Sequence, residues 1–560
     1  MTMKASQEAE SIPQQTAELA WRMSRKGTLP MHLRDGLGTI YQDRDFAQLF
    51  PHWGRPAHAP WRLALVTVLQ EIEGLTDRQA AQMVQVRIDW RYALSMTLEE
   101  PGFDFSILSD FRARLLEHHA ADRLLEPILA LCRERGWLGG GGKQRSDSTM
   151  VLAHLRALSS LESVGEGMRA ALNAIAEQQA DWLEEQVNPA WFDRYVHRFE
   201  LARFPKQESK RKQLRQDVGN DVQQLLTLIE QAALSKPLQA IPEVQLLRQL
   251  FAQHYEVQQG QVNWRDGPAV SNEERVISPY DADARSSRKR DTVWLGYKVH
   301  LTETCDQDPS RPHLVVGVET VPATTQDSEM LAVISEHLRE RDLAPVEQYV
   351  DQGYTSGPQL IEQASRGTLI MGPVPAEGGW QAAKAQGYAA HDFELDWDRR
   401  IATCPQGQQT RNWSQRTDER QQRIELIRFP VTVCGKCPVR EHCTKGTKQG
   451  RSLNLNVQEV HQALERRRHE QFQPEFLQRY SLRAGIEGTI SQGVRVFRLR
   501  QTPYVGSAKT HLHHLAMASG LNLLRIEAHL QAQAHGKPTR PARHPTPFAR
   551  IHDRWEARGA

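Results

Sequence analysis

The feature that most constrains the fold of this chain is an ordered alternation of strand-like and helix-like segments between residues 291 and 372. Two β-rich runs joined by a polar loop predict an antiparallel hairpin, and amphipathic stretches then alternate with short apolar runs. The segments are the strands 291–301 and 313–321, the helix 328–341, the strand 346–351, the helix 358–366 and the strand 368–372. Strands interleaved with helices in this way predict an α/β domain.

Two aspartates lie where neighbouring strands of such a sheet would bring them together. A glycine run, 139–142, marks a linker or tight turn, and the short strand-like segment directly after it carries Asp147. Asp351 ends the strand that precedes the helix 358–366. We therefore expect both carboxylates near the same strand ends.

If the segment 480–495 is helical, one of its faces carries side chains suited to a metal-and-phosphate site. At about 100° per residue, Tyr480, Arg483 and Glu487 project together. The carboxylate can bind a hard cation, and the guanidinium can bind a phosphate oxygen. The alternative interpretation is an amphipathic surface helix whose charged side chains are solvated.

The spacing of these three residues resembles a known pattern. Tyr480, Arg483 and Glu487, within the run Arg-Ala-Gly-Ile-Glu-Gly-Thr-Ile-Ser-Gln-Gly, resemble the Tyr-Arg-Glu-Lys signature of DDE transposases from bacterial insertion sequences. With that spacing, the alternative of a solvated surface helix loses its advantage.

The chain departs from this signature at its last position. The signature lysine is expected seven residues after the glutamate, where this chain has Val494, so the DNA contact of that lysine is not carried over. Arg495 is the neighbouring candidate for the contact. Arg498 would return to the same face if the helix continued past Gly493.

Further blocks extend the resemblance over roughly residues 40–530. They are 74–94, 103–115, 145–149, 278–285 and 349–356. The resemblance implies an α/β fold with an RNase H-like catalytic core. In that core, Asp147, Asp351 and Glu487 would be the catalytic residues and the ligands of Mg²⁺ or Mn²⁺.

Three carboxylates can hold two Mg²⁺ ions, because Mg²⁺ prefers oxygen ligands at about 2.0 to 2.1 Å and also accepts phosphate oxygens. Such a pair, about 3.5 to 4 Å apart, activates the attacking water and stabilises the departing 3′ oxygen. The freed 3′-OH can then replace water and attack target DNA at the same centre. For four nearby carboxylates we expect salt-bridge or capping roles instead, namely Asp281, Asp283, Asp327 and Glu329.

The N-terminal part of the chain has helical periodicity from residue 41 to about residue 136, and Thr76 with Gln79 has the pattern of a capping box. The resemblance implies that this domain binds transposon ends. We therefore expect groove or phosphate contacts from Arg78, Arg87 and Arg91. The alternative is a purely structural helical cap.

Six cysteines in 560 residues make no disulfide framework. Four of them, Cys404, Cys434, Cys437 and Cys443, include one close pair at zinc-knuckle spacing and suit a structural Zn²⁺. An iron–sulfur centre or an unmetallated cluster stays open as an alternative. Cys132 and Cys305 are predicted to be plain thiols.

Composition narrows the class of protein further. No apolar run approaches the roughly 18 residues that a membrane span needs. The net charge is only +2, so DNA binding must rely on clustered cations, which occur at 206–215, 285–290, 466–468 and 537–558. We expect a cytoplasmic, nucleoid-associated bacterial protein whose partner is double-stranded DNA, with no membrane association and a homodimer in the DNA complex.

Composition shifts and the resemblance together predict the domain organisation. The segments are a flexible N-terminus 1–35, a helical DNA-binding domain 36–138, an RNase H-like core 143–155 and 275–375, a helical insertion 156–274, a Cys-rich insertion 376–455, the C-terminal part of the core 456–532 and a basic tail 533–560.

The predicted function is that of a transposase, which binds insertion-sequence ends, cleaves DNA by metal-dependent hydrolysis and joins the 3′-OH ends to target DNA. One alternative is a metal-dependent nuclease without joining activity. The other is a catalytically inactive DNA-binding relative, for which Val494 is the motif-level hint.

Overall fold

The computed structural model of the chain describes residues 11–51, 57–155, 158–265, 267, 269–383, 387–418, 421–446 and 448–535. Of the predicted basic tail 533–560, residues 536–560 lie outside the described residues. Within the described ranges, no helix is both long enough and apolar enough to cross a membrane.

The N-terminal region is helical, as its periodicity predicts. It contains α1 (Gln14–Met23), α2 (Leu29–Leu37), α3 (Pro60–Glu73), α4 (Asp77–Val86), α5 (Ile88–Ala93), α6 (Ser106–Glu117) and α7 (Glu126–Glu134), with 3₁₀ helices at Asp43–Leu49 and Ala121–Leu124. The predicted capping box starts α4. The Thr76 hydroxyl accepts the N–H of Gln79 at 3.3 Å, and the Gln79 side chain accepts the N–H of Thr76 at 2.9 Å.

The expectation of a flexible N-terminus over residues 1–35 is wrong for α1 and α2. Ala20 and Met31 are fully buried, and the buried Thr16 hydroxyl donates to the Met96 carbonyl at 2.8 Å. These helices are held by contacts with α5 rather than by a long apolar period of their own, so periodicity missed them. Residues 1–10 lie outside the described residues.

Strand β1 (Lys143–Leu152) starts the central sheet, and a mostly helical insertion follows it. The insertion contains α8 (Ser160–Gln178), α9 (Ala180–Gln186), α10 (Pro189–Tyr195), α11 (Glu208–Gln231), α12 (Ser235–Ala240), α13 (Pro242–His254) and the hairpin of β2 (Tyr255–Gln258) and β3 (Gln261–Trp264), with a 3₁₀ turn at Leu201–Arg203. Its buried residues, among them Trp191 and Leu247, form a hydrophobic cluster separate from the main core. The hairpin was not predicted.

The next elements complete the central sheet. They are β4 (Arg285–Lys289), β5 (Thr292–Thr304), β6 (Val315–Pro322), α14 (Asp327–Glu340), β7 (Glu347–Tyr349), α15 (Gly357–Ser365) and β8 (Leu369–Met371). The pairing order is β4–β5–β1–β7–β8, and β6 also pairs with β5. β5 is antiparallel to β1 and to β6, as the predicted hairpin requires, whereas β1, β7 and β8 are parallel to one another.

The cysteine-containing segment has its own small sheets. It contains α16 (Trp380–Ala383), a 3₁₀ turn at Ala390–Asp392, β9 (Glu394–Asp396), β10 (Ile401–Thr403), β11 (Gln409–Thr410), β12 (Trp413–Thr417), β13 (Arg423–Arg428), α17 (Val431–Cys434), α18 (Arg440–Cys443) and β14 (Ser452–Asn456). One sheet has the order β11–β10–β9 and the other β12–β13–β14. Trp413 and Ile427 are buried in a small core, and Trp397 packs against it.

The C-terminal part of the chain is helical and completes the main core. It contains α19 (Gln458–Glu470), α20 (Pro474–Tyr480), a 3₁₀ turn at Ser481–Ala484, α21 (Gly485–Phe497) and α22 (Ser507–His535). One hydrophobic cluster includes side chains of the N-terminal helices, the central sheet, α21 and α22. Asn522 of α22 bonds to both backbone groups of Val315 on β6 at 2.8 Å. The N-terminal helices therefore share a core with the sheet.

Candidate functional site

Strand pairing places the two predicted aspartates side by side. β1 runs parallel to β7, with Arg145 opposite Tyr349. Asp147 lies two residues further along β1, and Asp351 lies two residues beyond Tyr349, the last residue of β7, so parallel pairing brings both aspartates to the same region of the sheet. The close approach appears in the electrostatics, because the charge of Asp351 contributes to raising the pKa of Asp147.

A tight turn after β7 holds Asp351. The N–H of Gly353 donates to Asp351 Oδ1 at 2.8 Å, and the N–H of Tyr354 and the hydroxyl of Thr355 donate to the Asp351 carbonyl, each at 3.2 Å. The strand ladder ends at Tyr349, so this turn sets the direction of the carboxylate.

The predicted helix over 480–495 is present, although it contains a 3₁₀ turn after Tyr480. Its arginine lies between two of the predicted carboxylates. Arg483 Nη2 donates to Asp147 Oδ2 at 2.6 Å, and Nη1 donates to Glu487 Oε1 at 2.7 Å. Tyr480 stacks on Phe476 with ring centroids 5.7 Å apart, on the same side of the site.

A buried arginine fixes α21 against the sheet. Arg145 Nε donates to Glu303 at 2.7 Å, and Nη1 donates to the Leu482 carbonyl at 2.7 Å. A Cβ on Gly485 would lie 1.8 Å from Arg145 Nη1, so only glycine lets the start of α21 approach this closely. Thr489 donates to the same Glu303 carboxylate at 2.6 Å. The position of Glu487 thus depends on β1 and β5.

The electrostatics of the site suit a cation. The pKa of Asp147 is raised to about 6, chiefly by burial and to a smaller extent by the charge of Asp351, against the opposing effect of Arg483. The Arg483 guanidinium therefore neutralises a pair of carboxylates that would otherwise repel each other. Burial also raises the pKa of Tyr480 above its ordinary value.

The donor set fits Mg²⁺ in its chemistry, because it offers carboxylate oxygens and already holds a cation between them. The geometry is that of an ion pair with arginine. Across the described part of the chain, no three His, Cys, Asp or Glu side chains are drawn together closely enough to hold a metal ion. Metal binding would require Arg483 to leave Asp147 and Glu487.

Arg495 and Arg498, the two candidates to replace the signature lysine, lie in different surroundings. α21 continues past Gly493 and ends at Phe497, so Arg495 is helical and exposed. Arg498 ends the helix with φ of 56°, and it lines a cavity with Tyr504 and His513. The helix does continue past Gly493, but Arg498 is its C-cap residue rather than a helical one, so its DNA contact stays a prediction.

Of the three N-terminal arginines predicted to contact DNA, only one is well exposed. Arg78 lies over the Phe105 ring at 4.9 Å on the surface. Arg87 pairs with Glu73 and with Asp89, and its exposure is intermediate.

The prediction that Arg91 contacts DNA is wrong. Arg91 is only 8% exposed, and its guanidinium donates to the carbonyls of Gln85, Thr97 and Glu100. A guanidinium consumed by backbone carbonyls in this way serves the fold of the domain rather than DNA.

The four predicted zinc ligands, Cys404, Cys434, Cys437 and Cys443, line one small cavity of about 30 Å³. Burial raises the pKa of the Cys443 thiol to about 11, and the other three thiols add to that rise. The N–H of Arg451 donates to Cys434 Sγ at 3.5 Å. The thiols are therefore neighbours, although they do not form a closed metal centre. Cys132 and Cys305 are buried free thiols, as predicted.

The structure assigns several of the expected non-catalytic carboxylates clear roles. Asp281 is buried, accepts the Tyr297 hydroxyl at 2.6 Å and accepts the N–H of Gly506 at 3.1 Å. Asp283 accepts the N–H of Ser507 at the start of α22. Asp283 has the capping role that was expected, whereas Asp281 makes buried hydrogen bonds rather than a salt bridge or a helix cap.

Asp327 differs from these two because it lies beside the site. It pairs with Lys298 at 3.2 Å and accepts the hydroxyl of Ser148, the neighbour of Asp147, at 3.2 Å. Sequence reasoning missed this group of residues around the aspartates. The available signal was Tyr354, which lies in the same block as Asp351 but whose side chain received no role.

Comparison with known families gives two matches. The family model described as "Transposase DDE domain" matches residues 403–527, and the one described as "Transposase domain (DUF772)" matches residues 28–114. The first range contains Tyr480, Arg483, Glu487 and the four clustered cysteines, whereas Asp147 and Asp351 lie outside both ranges. No curated protein and no solved structure matches the chain.

Both matching family models are transposase models, so the comparison points to the transposase class. More narrowly, the two family-model matches support a DDE transposase of an insertion sequence. Its function is therefore related to transposition, and DNA is its expected partner.

Proposed function

We propose that this transposase binds insertion-sequence ends, cleaves DNA and joins the freed 3′-OH to target DNA at one centre formed by Asp147, Asp351 and Glu487. The observation that carries the proposal is the Arg483 guanidinium, which pairs with Asp147 and Glu487 at 2.6 and 2.7 Å. A cation bridging two acidic side chains supports a site that is built to hold positive charge.

We infer that the central sheet is an RNase H-like core. The order β6–β5–β1–β7–β8, with β5 antiparallel to both neighbours and the last three strands parallel, supports this inference. In this arrangement Asp147 comes from the middle strand, Asp351 from its parallel neighbour and Glu487 from a helix docked on the same face.

Asp147, Asp351 and Glu487 would hold Mg²⁺ or Mn²⁺. When bound, the ions activate the attacking oxygen and stabilise the leaving 3′ oxygen. The protein residues perform the remaining tasks. Asp351 is aimed by its turn, and Glu487 is positioned by the contact of α21 with Arg145. Arg483, once displaced from the carboxylates, presents a two-pronged donor to a phosphate oxygen of the scissile strand.

Zinc is a separate proposal for the cysteine cluster. Four neighbouring thiols around one cavity support a structural Zn²⁺, which would close that cavity and cross-link the short elements around it. Metal analysis of protein made in zinc-replete and in iron-replete medium separates zinc from an iron–sulfur centre. A protein that carries neither metal would overturn this proposal.

Binding of the ends is proposed for the N-terminal helices, with Arg78 as one of their exposed cations. We also propose that two copies of the chain pair two ends. Measuring the mass of the complex with end DNA tests the dimer.

The experiment that separates the three candidate functions uses precut end DNA with a supercoiled target in Mg²⁺. A transposase gives joined products, in which the labelled end is linked to target DNA. A nuclease nicks the end without joining, and an inactive relative shifts the end in a gel but leaves both substrates intact. Joined products that disappear in Asp147→Asn would support the proposed function.

A further inference from the structure

A buried tyrosine links the turn of Asp351 to β5, the strand on the other side of β1 from β7. Tyr354 is 0% exposed, and its hydroxyl and His300 Nδ1 share a hydrogen bond of 2.6 Å. The two rings meet edge to face, at 5.6 Å and 87°. His300 lies on β5 directly opposite Ser148, so Tyr354 reaches across β1 at the position next to Asp147.

A second set of contacts ties the same region to the start of α14. Asp327 accepts the Ser148 hydroxyl at 3.2 Å and Lys298 Nζ at 3.2 Å. Lys298 also donates to the Thr325 carbonyl at 2.7 Å. A Cβ on Gly353 would lie 3.1 Å from Asp351 Oδ1 and 3.4 Å from Asp327 Oδ2, so the turn is packed between these carboxylates.

These contacts matter because strand pairing alone does not hold Asp351. β7 ends at Tyr349, and the backbone bond from Val350 to Met371 is the last one before the aspartate. The local bonds within the turn fix its shape, but they do not fix its position relative to β1. The Tyr354 side chain reaches β5 from this turn, through its hydrogen bond with His300.

We propose that Tyr354 is a positioning residue, whose hydroxyl, held by His300, sets the distance between Asp351 and Asp147 and so the affinity of this pair for a divalent cation. The proposal rests on the proposed function of these carboxylates. Groups that orient the ligands of a metal change metal affinity when they are removed, usually by about 10-fold to 100-fold.

The competing explanation is that Tyr354 only fills the core. The phenyl ring of Tyr354→Phe keeps the packing and removes one hydroxyl, so a filling role predicts no change in metal affinity. The matched control is Tyr349→Phe. Tyr349 is also 0% exposed and lies two residues before Asp351, but its hydroxyl donates to Glu347, away from the aspartates.

The first measurement uses the full-length protein without DNA. Mg²⁺ is titrated by calorimetry into the wild type, Tyr354→Phe and Tyr349→Phe, and the Mg²⁺-dependent rise in melting temperature is followed in parallel. We expect Tyr354→Phe to bind Mg²⁺ about tenfold more weakly and Tyr349→Phe to match the wild type. Equal affinities for all three proteins would overturn the proposal.

The second measurement follows nicking of labelled end DNA against Mg²⁺ concentration. Tyr354→Phe should need about tenfold more Mg²⁺ for half-maximal rate and should recover most of the wild-type rate at saturation, with unchanged affinity for end DNA. His300→Phe, which removes the other partner of the bond, should shift the Mg²⁺ requirement in the same direction. A lower rate at every concentration without that shift would contradict a positioning role.

Asp351→Asn separates failure of this proposal from failure of the proposed function. If Asp351→Asn nicks as fast as the wild type, the proposed site itself is wrong. If Asp351→Asn is inactive while Tyr354→Phe behaves as Tyr349→Phe does, the site is right and Tyr354 merely fills space.

Discussion

The carboxylate site and the cysteine cluster are both candidate metal sites, but the chain builds them in different ways. Asp147, Asp351 and Glu487 stand on a sheet and a helix that belong to the main hydrophobic core. The four cysteines come from short elements around a small core that includes Trp413 and Ile427. The first site should keep its shape without metal, whereas the second should depend on metal for its shape.

The largest effect on stability and activity is expected from Gly485→Ala, which disturbs the contact of α21 with Arg145. An alanine there would place its Cβ 1.8 Å from Arg145 Nη1. Since that guanidinium is held by Glu303 and the Leu482 carbonyl, moving it costs about 1–3 kcal/mol and detaches the start of α21. We expect a lower melting temperature and the loss of end cleavage.

Gly488→Ala is the matched control, because nothing lies within 4 Å of a Cβ at that position. Alanine favours a helix over glycine by about 1 kcal/mol, so this variant should melt at the same temperature or slightly higher. If both alanine variants behave alike, the close contact of α21 with Arg145 does not support the site.

A smaller and more local effect is expected at the cysteine cluster. Cys434→Ser, or removal of metal by a chelator, should speed proteolysis between residues 388 and 455 and leave the melting of the main core nearly unchanged. Asp147→Asn should do neither, since it removes a buried charge whose ionisation the fold disfavours. The first fragments released by the protease are identified by mass spectrometry and compared between the proteins. Identical fragment patterns for the wild type, Cys434→Ser and Asp147→Asn would show that the cluster has no structural metal.

The sequence predicted the elements that carry Asp147, Asp351 and Glu487 better than it predicted the small sheets of the cysteine segment, for a physical reason. Asp147, Asp351 and Glu487 occupy strand and helix positions that periodicity can locate, and parallel pairing brings the strand ends together. The small sheets around the cysteines consist of strands of two to six residues, which are too short to show a period.

Other features depend on contacts between distant segments, which local patterns do not contain. Arg91 resembles a surface cation in the sequence, yet three carbonyls bury it. Arg483 was predicted to face a phosphate, and in the structure it joins Asp147 to Glu487. The role of Tyr354 depends on His300, which is 54 residues away.

The smallest effects are expected in the way stability and metal binding change with pH. The pKa of Asp147 is raised from 3.8 to about 6, so between these values the unfolded chain has lost a proton that the folded protein still holds. Without metal, this group's contribution to stability should therefore fall as the pH rises through that window. Mg²⁺ needs the ionised carboxylate, so Mg²⁺-dependent stabilisation should increase from about pH 5 to about pH 7.

The cysteine cluster should respond at higher pH, because burial raises the pKa of Cys443 to about 11. Zn²⁺ binding there must release protons, and its affinity should keep rising beyond the range in which Mg²⁺ binding has levelled off. Melting curves with each metal at several pH values test both trends. A Mg²⁺ effect that does not change between about pH 5 and pH 7 would contradict the assignment of Asp147 as a ligand.

The most direct test of the account is the rate at which Asp351→Asn nicks labelled end DNA in Mg²⁺. The control is Glu329→Gln, an exposed carboxylate on the first turn of α14. We predict that Asp351→Asn folds and binds end DNA as the wild type does but does not nick it, because the neutral amide no longer offers an anionic ligand. Glu329→Gln should retain nearly full activity. Nicking by Asp351→Asn at the wild-type rate would contradict the account and place the chemistry on other carboxylates.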